Sequence, residues 1–168
     1  MKKTVVRYGL YGALTICILF IGSWFFIDEV NFEISEVIGY ASMIVSLSFV
    51  YFGIKNYRDT ESEGKISFKK ALTIGVLISL ITALAFAILD VFYVEVLNPE
   101  FMDQYYAHTI EQMQHTMPAD EVEAKVKEME AQKELFSSPL VTFFVMGMTV
   151  FVIGFIMSLI SSLILQRK

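Results

Sequence analysis

Four long stretches of the chain are almost free of charge: residues 8–27, 37–54, 71–94 (interrupted only by Asp90) and 140–165. A helix crossing a hydrocarbon core about 30 Å thick needs roughly 20 apolar residues, because it rises about 1.5 Å per residue. All four stretches approach or exceed that length, the second being the shortest and richest in serine. Each is apolar or small all the way round and lacks the polar face that a helix in a soluble bundle shows. The pattern predicts an all-α membrane protein, a four-transmembrane-helix bundle with spans at about 5–27, 37–54, 68–94 and 139–165.

The one sizeable polar segment, residues 95–138, has its own periodicity. Asn98-Pro99 is a helix-start signal, and Met102, Tyr106, Ile110, Met113 and Met117 then recur at steps of three and four. Pro118 ends that face. A second, highly charged helix is predicted over about 119–135, with Val122, Val126 and Met129 on one side and Glu121–Lys125 and Glu123–Lys127 at supporting spacing. Ser138-Pro139 repeats the start signal before the fourth span. The segment reads as an extracytoplasmic helical hairpin between spans 3 and 4, the alternative being that the spans themselves continue outward. The other outer loop, residues 28–36, is short, with Ser35 placed to cap the second span and Glu33 and Glu36 suited to a helix N-terminus.

Composition agrees with this picture. The 168 residues are 55% hydrophobic and only 18% charged, against about a quarter charged in a soluble domain. Ten of the 13 basic residues flank the chain ends or fill the segment 55–70, whereas fifteen of the 18 acids fall on the other side or at its edge. Basic residues near span ends stay in the cytoplasm, so both termini are expected there, in the inner membrane of a cell. Lys2-Lys3 ahead of an apolar run resembles a signal sequence, but no small-residue cleavage site closes it, so an uncleaved anchor is expected. The lone Cys17 lies in the apolar span and can form no internal disulfide.

Candidate chemistry is sparse. Gly75, Ser79, Ala83 and Ala87 recur every four residues, and Gly154, Ser158 and Ser162 repeat the device in the fourth span. Such small-residue stripes let helix backbones approach closely; packing within the bundle is the plainer reading, a homo-oligomer interface the other. Asp90 continues the first stripe and is the candidate polar-path residue, since ionisable groups within membranes are costly. Its place near the outer edge makes a hydrated or hydrogen-bonded acid at a helix end the plainer reading. His108, Glu111 and His115 share a helix face and are metal-ligand types, but seven residues, about 10.5 Å, separate the histidines, which strains a shared ion. Lys55, Arg58, Lys69 and Lys70 are placed to contact anionic headgroups. No nucleophile sits beside a base, no glycine-rich phosphate loop occurs, and nothing points to nucleic acid or a bound cofactor.

Lys55-Asn56-Tyr57-Arg58-Asp59, then Gly64-Lys65-Ile66-Ser67-Phe68, Ala71 and Gly75, resemble the pattern of a bacterial family of four-span membrane proteins, domain of unknown function 4199. The resemblance implies a small inner-membrane protein and carries no activity or site residues with it. The leading functional expectation is a non-enzymatic scaffold or accessory subunit that contacts membrane lipids and a partner protein, or a second copy, with the acidic outer loop facing the partner. The alternative is a small transporter or channel subunit using Asp90. A lipid-modifying enzyme has no visible chemistry.

Overall fold

A computed structural model describes residues 1–26, 32–136 and 138–167. The elements are α1 (Lys2–Phe26), α2 (Phe32–Glu61), α3 (Phe68–Phe92), a wider π turn that prolongs α3 (Tyr93–Leu97), α4 (Phe101–Thr116), α5 (Ala119–Phe136) and α6 (Pro139–Leu165). Helices α1, α2, α3 with its π turn, and α6 are long and apolar enough to cross a membrane.

Helix boundaries depart from the expected spans wherever hydropathy and helix propensity part company. α2 begins at Phe32, so Ser35 and Glu36 lie inside it, in its first turns. It also runs seven residues past Ile54, to Glu61. No glycine or proline interrupts residues 55–61, so the helix outlasts the apolar run; polarity marks where lipid ends, and only a backbone breaker ends the helix. The expected loop over 55–70 therefore shrinks to residues 62–67. There Glu63 (φ 49°) and Gly64 (φ 81°) turn the chain through the left-handed region, which glycine enters without steric cost. Ser67 then caps α3: its carbonyl accepts from Ala71 N–H at 3.0 Å and its hydroxyl from Lys70 N–H at 3.4 Å.

The start of α4 is also displaced. Asn98 ends the π turn instead of capping α4, its side-chain amide donating to the Tyr93 hydroxyl at 3.2 Å, and Glu100 takes the N-cap position without a side-chain bond. At the other end Met117 is extended, as the residue before Pro118 must be. Ser138 and Pro139 open α6 as expected, Thr142 N–H bonding the Ser138 carbonyl at 3.1 Å.

The chain divides into two compact units, residues 1–87 with 146–168, and residues 88–145. The first is the four-helix bundle. Leu47, Val50, Ile54, Ile74, Ile78 and Val150 are fully buried at its centre. Large side chains also cover its outside, where Leu14, Ile18, Ile44, Phe52, Leu84, Ile160 and Leu163 are all exposed. A helix surface with apolar side chains both inside and outside gains little by moving them from lipid to protein; close packing and hydrogen bonds must hold it together.

One end of this unit is tied. Ile66 and Arg167 exchange two backbone bonds of 2.9 Å, which fastens the α2–α3 loop to the end of α6. At the same end the Glu61 carboxylate accepts from the Thr4 hydroxyl and the Met1 ammonium.

Candidate functional site

The interior of the bundle is a seam of small and hydroxyl residues built by α3. Along that helix Ala71, Ile74, Gly75, Ile78, Ser79, Thr82, Ala83, Phe86 and Ala87 are buried, at alternating steps of three and one. Gly75 faces Ser158: a Cβ on Gly75 would lie 2.8 Å from the Ser158 Cβ. Reciprocally, a Cβ on Gly154 would lie 2.6 Å from Ser79 and 3.1 Å from Leu47. Two steps along, one on Gly147 would touch Ala87 at 3.2 Å. Gly75 with Ser158 and Gly154 with Ser79 thus meet across α3 and α6, glycine against serine.

The hydroxyls behave alike. Ser79 Oγ donates to the Gly75 carbonyl at 2.9 Å, Ser158 to Gly154 at 2.7 Å, Ser162 to Ser158 at 2.6 Å, and Thr82 to Ile78 at 3.2 Å. Each thereby bonds its own helix one turn back. The Ser79 and Ser158 oxygens also approach one another at 3.3 Å. Thr82 and the backbone of Ser46, equally buried, both lie against Gly12 of α1.

Asp90 belongs to the second unit, where it stands 7% exposed. It falls at the next position of the buried α3 rhythm, three residues after Ala87. Its Oδ2 is buried and has no hydrogen-bond partner among the described residues. The π turn begins three residues further on, and such wide turns occur often at functional sites.

Helices α4 and α5 form the predicted hairpin. Tyr106, Val122 and Met129 are buried, while Met102, Ile110, Met113 and Val126 are half-buried and Met117 is exposed. Asp103 and Lys133 form an ion pair between the two helices, and that carboxylate holds the Lys133 ammonium above its ordinary pKa. Burial, and secondarily Tyr105, push the Tyr106 hydroxyl up as well. Lys127 pairs with Glu123 at 2.8 Å as its spacing suggests, whereas Lys125 turns to Glu128 at 3.1 Å rather than to Glu121. Tyr93, Phe101 and Tyr105 form an aromatic run at the root of the hairpin, with centroids 5.6 and 6.4 Å apart. Residues 95–138 contain ten acids and three bases, a net charge of −7.

His108 is half-buried, and Glu111 and His115 are exposed on α4. No three His, Cys, Asp or Glu side chains among the described residues come together as a metal site. Of the four basic residues expected at headgroups, Lys55, Lys69 and Lys70 are exposed. Arg58 differs: it is buried, and its Nε donates to Asp59 Oδ1 at 2.7 Å. The continuation of α2 past Ile54 places it on the helix, where it is buried and paired with Asp59.

The same continuation creates a feature that the sequence pattern left in a loop. Asn56, Thr60 and Glu61 stand on α2 opposite Lys3, Thr4 and Arg7 of α1, and together they line a cleft of about 420 Å³. Only an uninterrupted helix through residues 55–61 places Asn56 and Thr60 on one face; the absence of a breaker there was the available signal.

A seam of back-bonded hydroxyls, four apolar helices and a polar helical hairpin define a multi-pass, all-α membrane protein. The chain belongs to the family described as "Protein of unknown function (DUF4199)", which it matches over residues 7–167. No curated protein and no solved structure matches it.

Proposed function

We propose that this protein is a non-enzymatic scaffold or accessory subunit of a bacterial inner membrane, with its termini in the cytoplasm and its acidic hairpin turned toward a partner protein. The observation that carries this reading is the self-packed hairpin. Tyr106, Val122 and Met129 are buried within it and Asp103 pairs with Lys133, so a defined module presents its acids outward. A surface of one sign raises association rates and partner selectivity, and its effect falls with ionic strength. Purification of the native complex in mild detergent is expected to recover a stoichiometric second protein with a basic contact surface. The triple substitution Glu121→Gln, Glu123→Gln and Glu130→Gln should weaken that association about tenfold or more, as loss of three steering charges implies. Repeated recovery of the chain with neither a partner nor a second copy would sink the proposal.

A second reading is favoured by Asp90. A buried carboxyl oxygen with no partner among the described residues suits a transporter or channel subunit in which that group meets a cation or proton along a polar path. Asp90→Asn is expected to abolish ion- or proton-linked flux in reconstituted vesicles under this reading. Unchanged flux, or none in the wild type, would leave Asp90 as a structural acid. The same variant separates the two readings, because partner recovery should survive it.

A further inference from the structure

The geometry points to a binding site for the phosphate of an anionic lipid in the cleft between the start of α1 and the end of α2. The inference is independent of the partner and transport readings. Its walls are Lys3, Thr4 and Arg7 on one helix and Asn56, Thr60 and Glu61 on the other.

Charge is the first reason. Lys3 and Arg7 both line the cleft, and neither forms an ion pair among the described residues. The one acid, Glu61, is already engaged by the Met1 ammonium and the Thr4 hydroxyl. The cleft therefore keeps a positive balance despite containing a carboxylate.

Donor geometry is the second. Arg7 Nη2 donates to Asn56 Oδ1 at 2.8 Å, which fixes the guanidinium across the gap between helices. That bond uses one of five guanidinium N–H donors and the acceptor end of the amide. It leaves the Asn56 amide hydrogens and the rest of the guanidinium fork as donors, beside the Lys3 ammonium. Thr60 Oγ1 spends its proton on the Asn56 carbonyl at 2.7 Å. A planar fork, an ammonium and an amide suit phosphate oxygens, and arginine in particular holds them in pairs. The Arg7 guanidinium also lies over the Tyr8 ring, 5.0 Å from its centroid, which further limits its motion.

Depth is the third. The uncharged run of α1 begins at Tyr8, so Arg7 and Lys3 stand about 1.5 and 7.5 Å beyond its start along the helix axis. The headgroup layer on each side of a bilayer is about 5–7 Å deep. The cleft thus opens at the level of lipid phosphates.

The test uses the full-length protein in nanodiscs of phosphatidylcholine with or without phosphatidylglycerol, with native mass spectrometry to count retained lipids. Wild-type protein should retain phosphatidylglycerol selectively. Lys3→Gln with Arg7→Gln should weaken retention about tenfold or more, whereas removing the same charge at Lys69 and Lys70 should cost less than about threefold. Because Lys3 and Arg7 also direct membrane insertion, Asn56→Leu is the second variant. It leaves every charge in place, frees Arg7 from its anchor, and should lower retention several-fold. Inorganic phosphate added to the protein that retains phosphatidylglycerol distinguishes sources: displacement of the bound lipid by phosphate marks a general phosphoryl site, and lack of displacement marks a lipid site. Equal retention by the wild type and both cleft variants, or no preference for phosphatidylglycerol over phosphatidylcholine, would overturn the assignment.

Discussion

Gly154→Leu is expected to cost the bundle about 3 kcal/mol or more, the upper end of what overpacking a close contact does. A Cβ alone at that position would lie 2.6 Å from both Cβ and Oγ of Ser79. Neither atom can retreat, because Ser79 Oγ is tied to the Gly75 carbonyl at 2.9 Å and Leu47 closes the other side at 3.1 Å. The helices must therefore separate, and in lipid no hydrophobic gain compensates for the lost contact. Gly22→Ala is the matched control: nothing lies within 4 Å of a Cβ there, and the change should be neutral or slightly favourable, by up to about 1 kcal/mol, through helix propensity. Heat or SDS unfolding of the purified protein reads both. A Gly154→Leu protein as stable as Gly22→Ala would show that α3 and α6 do not meet through this pair.

Tyr106→Ala should open the hairpin while leaving the bundle folded. The side chain is 9% exposed, and among the described residues Val122 and Met129 are the other two buried apolar side chains of α4 and α5. Removing a largely buried aromatic side chain costs about 3–5 kcal/mol in a core, and a two-helix unit has little reserve. Hydrogen exchange is the suitable measurement, because local opening shows as faster exchange confined to one cooperative unit. Amides of α4 and α5 should lose protection together, and those of α1 and α2 should keep theirs. Loss of the partner association in the same variant would follow from the proposed scaffold role, since an open hairpin no longer presents a fixed acidic surface.

The long helices and the hairpin were legible because lipid and helix geometry each leave a period in the sequence: a charge-free run of span length in one case, steps of three and four in the other. The glycine and serine stripe was legible for the same reason. Boundaries were not, where polarity changed without a backbone breaker. Lys55 and Arg58 look like loop residues because they are charged, yet no residue from 55 to 61 stops a helix. Asn98-Pro99 shows the opposite error. A strong start signal was overridden because the preceding turn widened and drew the Asn98 amide to Tyr93. Arg58 could not be read as buried from its sequence neighbours, since the ion pair with Asp59 and the folded loop together give it an interior place. The unbroken helix through residues 55–61 hinted at only one wall of the phosphate cleft: its two halves are some fifty residues apart, and only antiparallel packing of α1 and α2 joins Arg7 to Asn56.

The hydroxyls that bond back to their own helices also bear on the order in which the protein is made. α3 leaves the ribosome well before α6, with residues 93–138 synthesised in between. At about 5–20 residues per second, that interval lasts roughly two to nine seconds. During it Ser79 has no α6 to meet, while Thr82 lies on the side of α3 toward Gly12 of α1, and an unsatisfied donor in hydrocarbon costs several kcal/mol. Both side chains already hold a carbonyl within α3, at 2.9 and 3.2 Å. A half-made protein can thus wait in the bilayer with its future contact surface chemically quiet, and the glycines hold the space that the late-arriving helix will occupy.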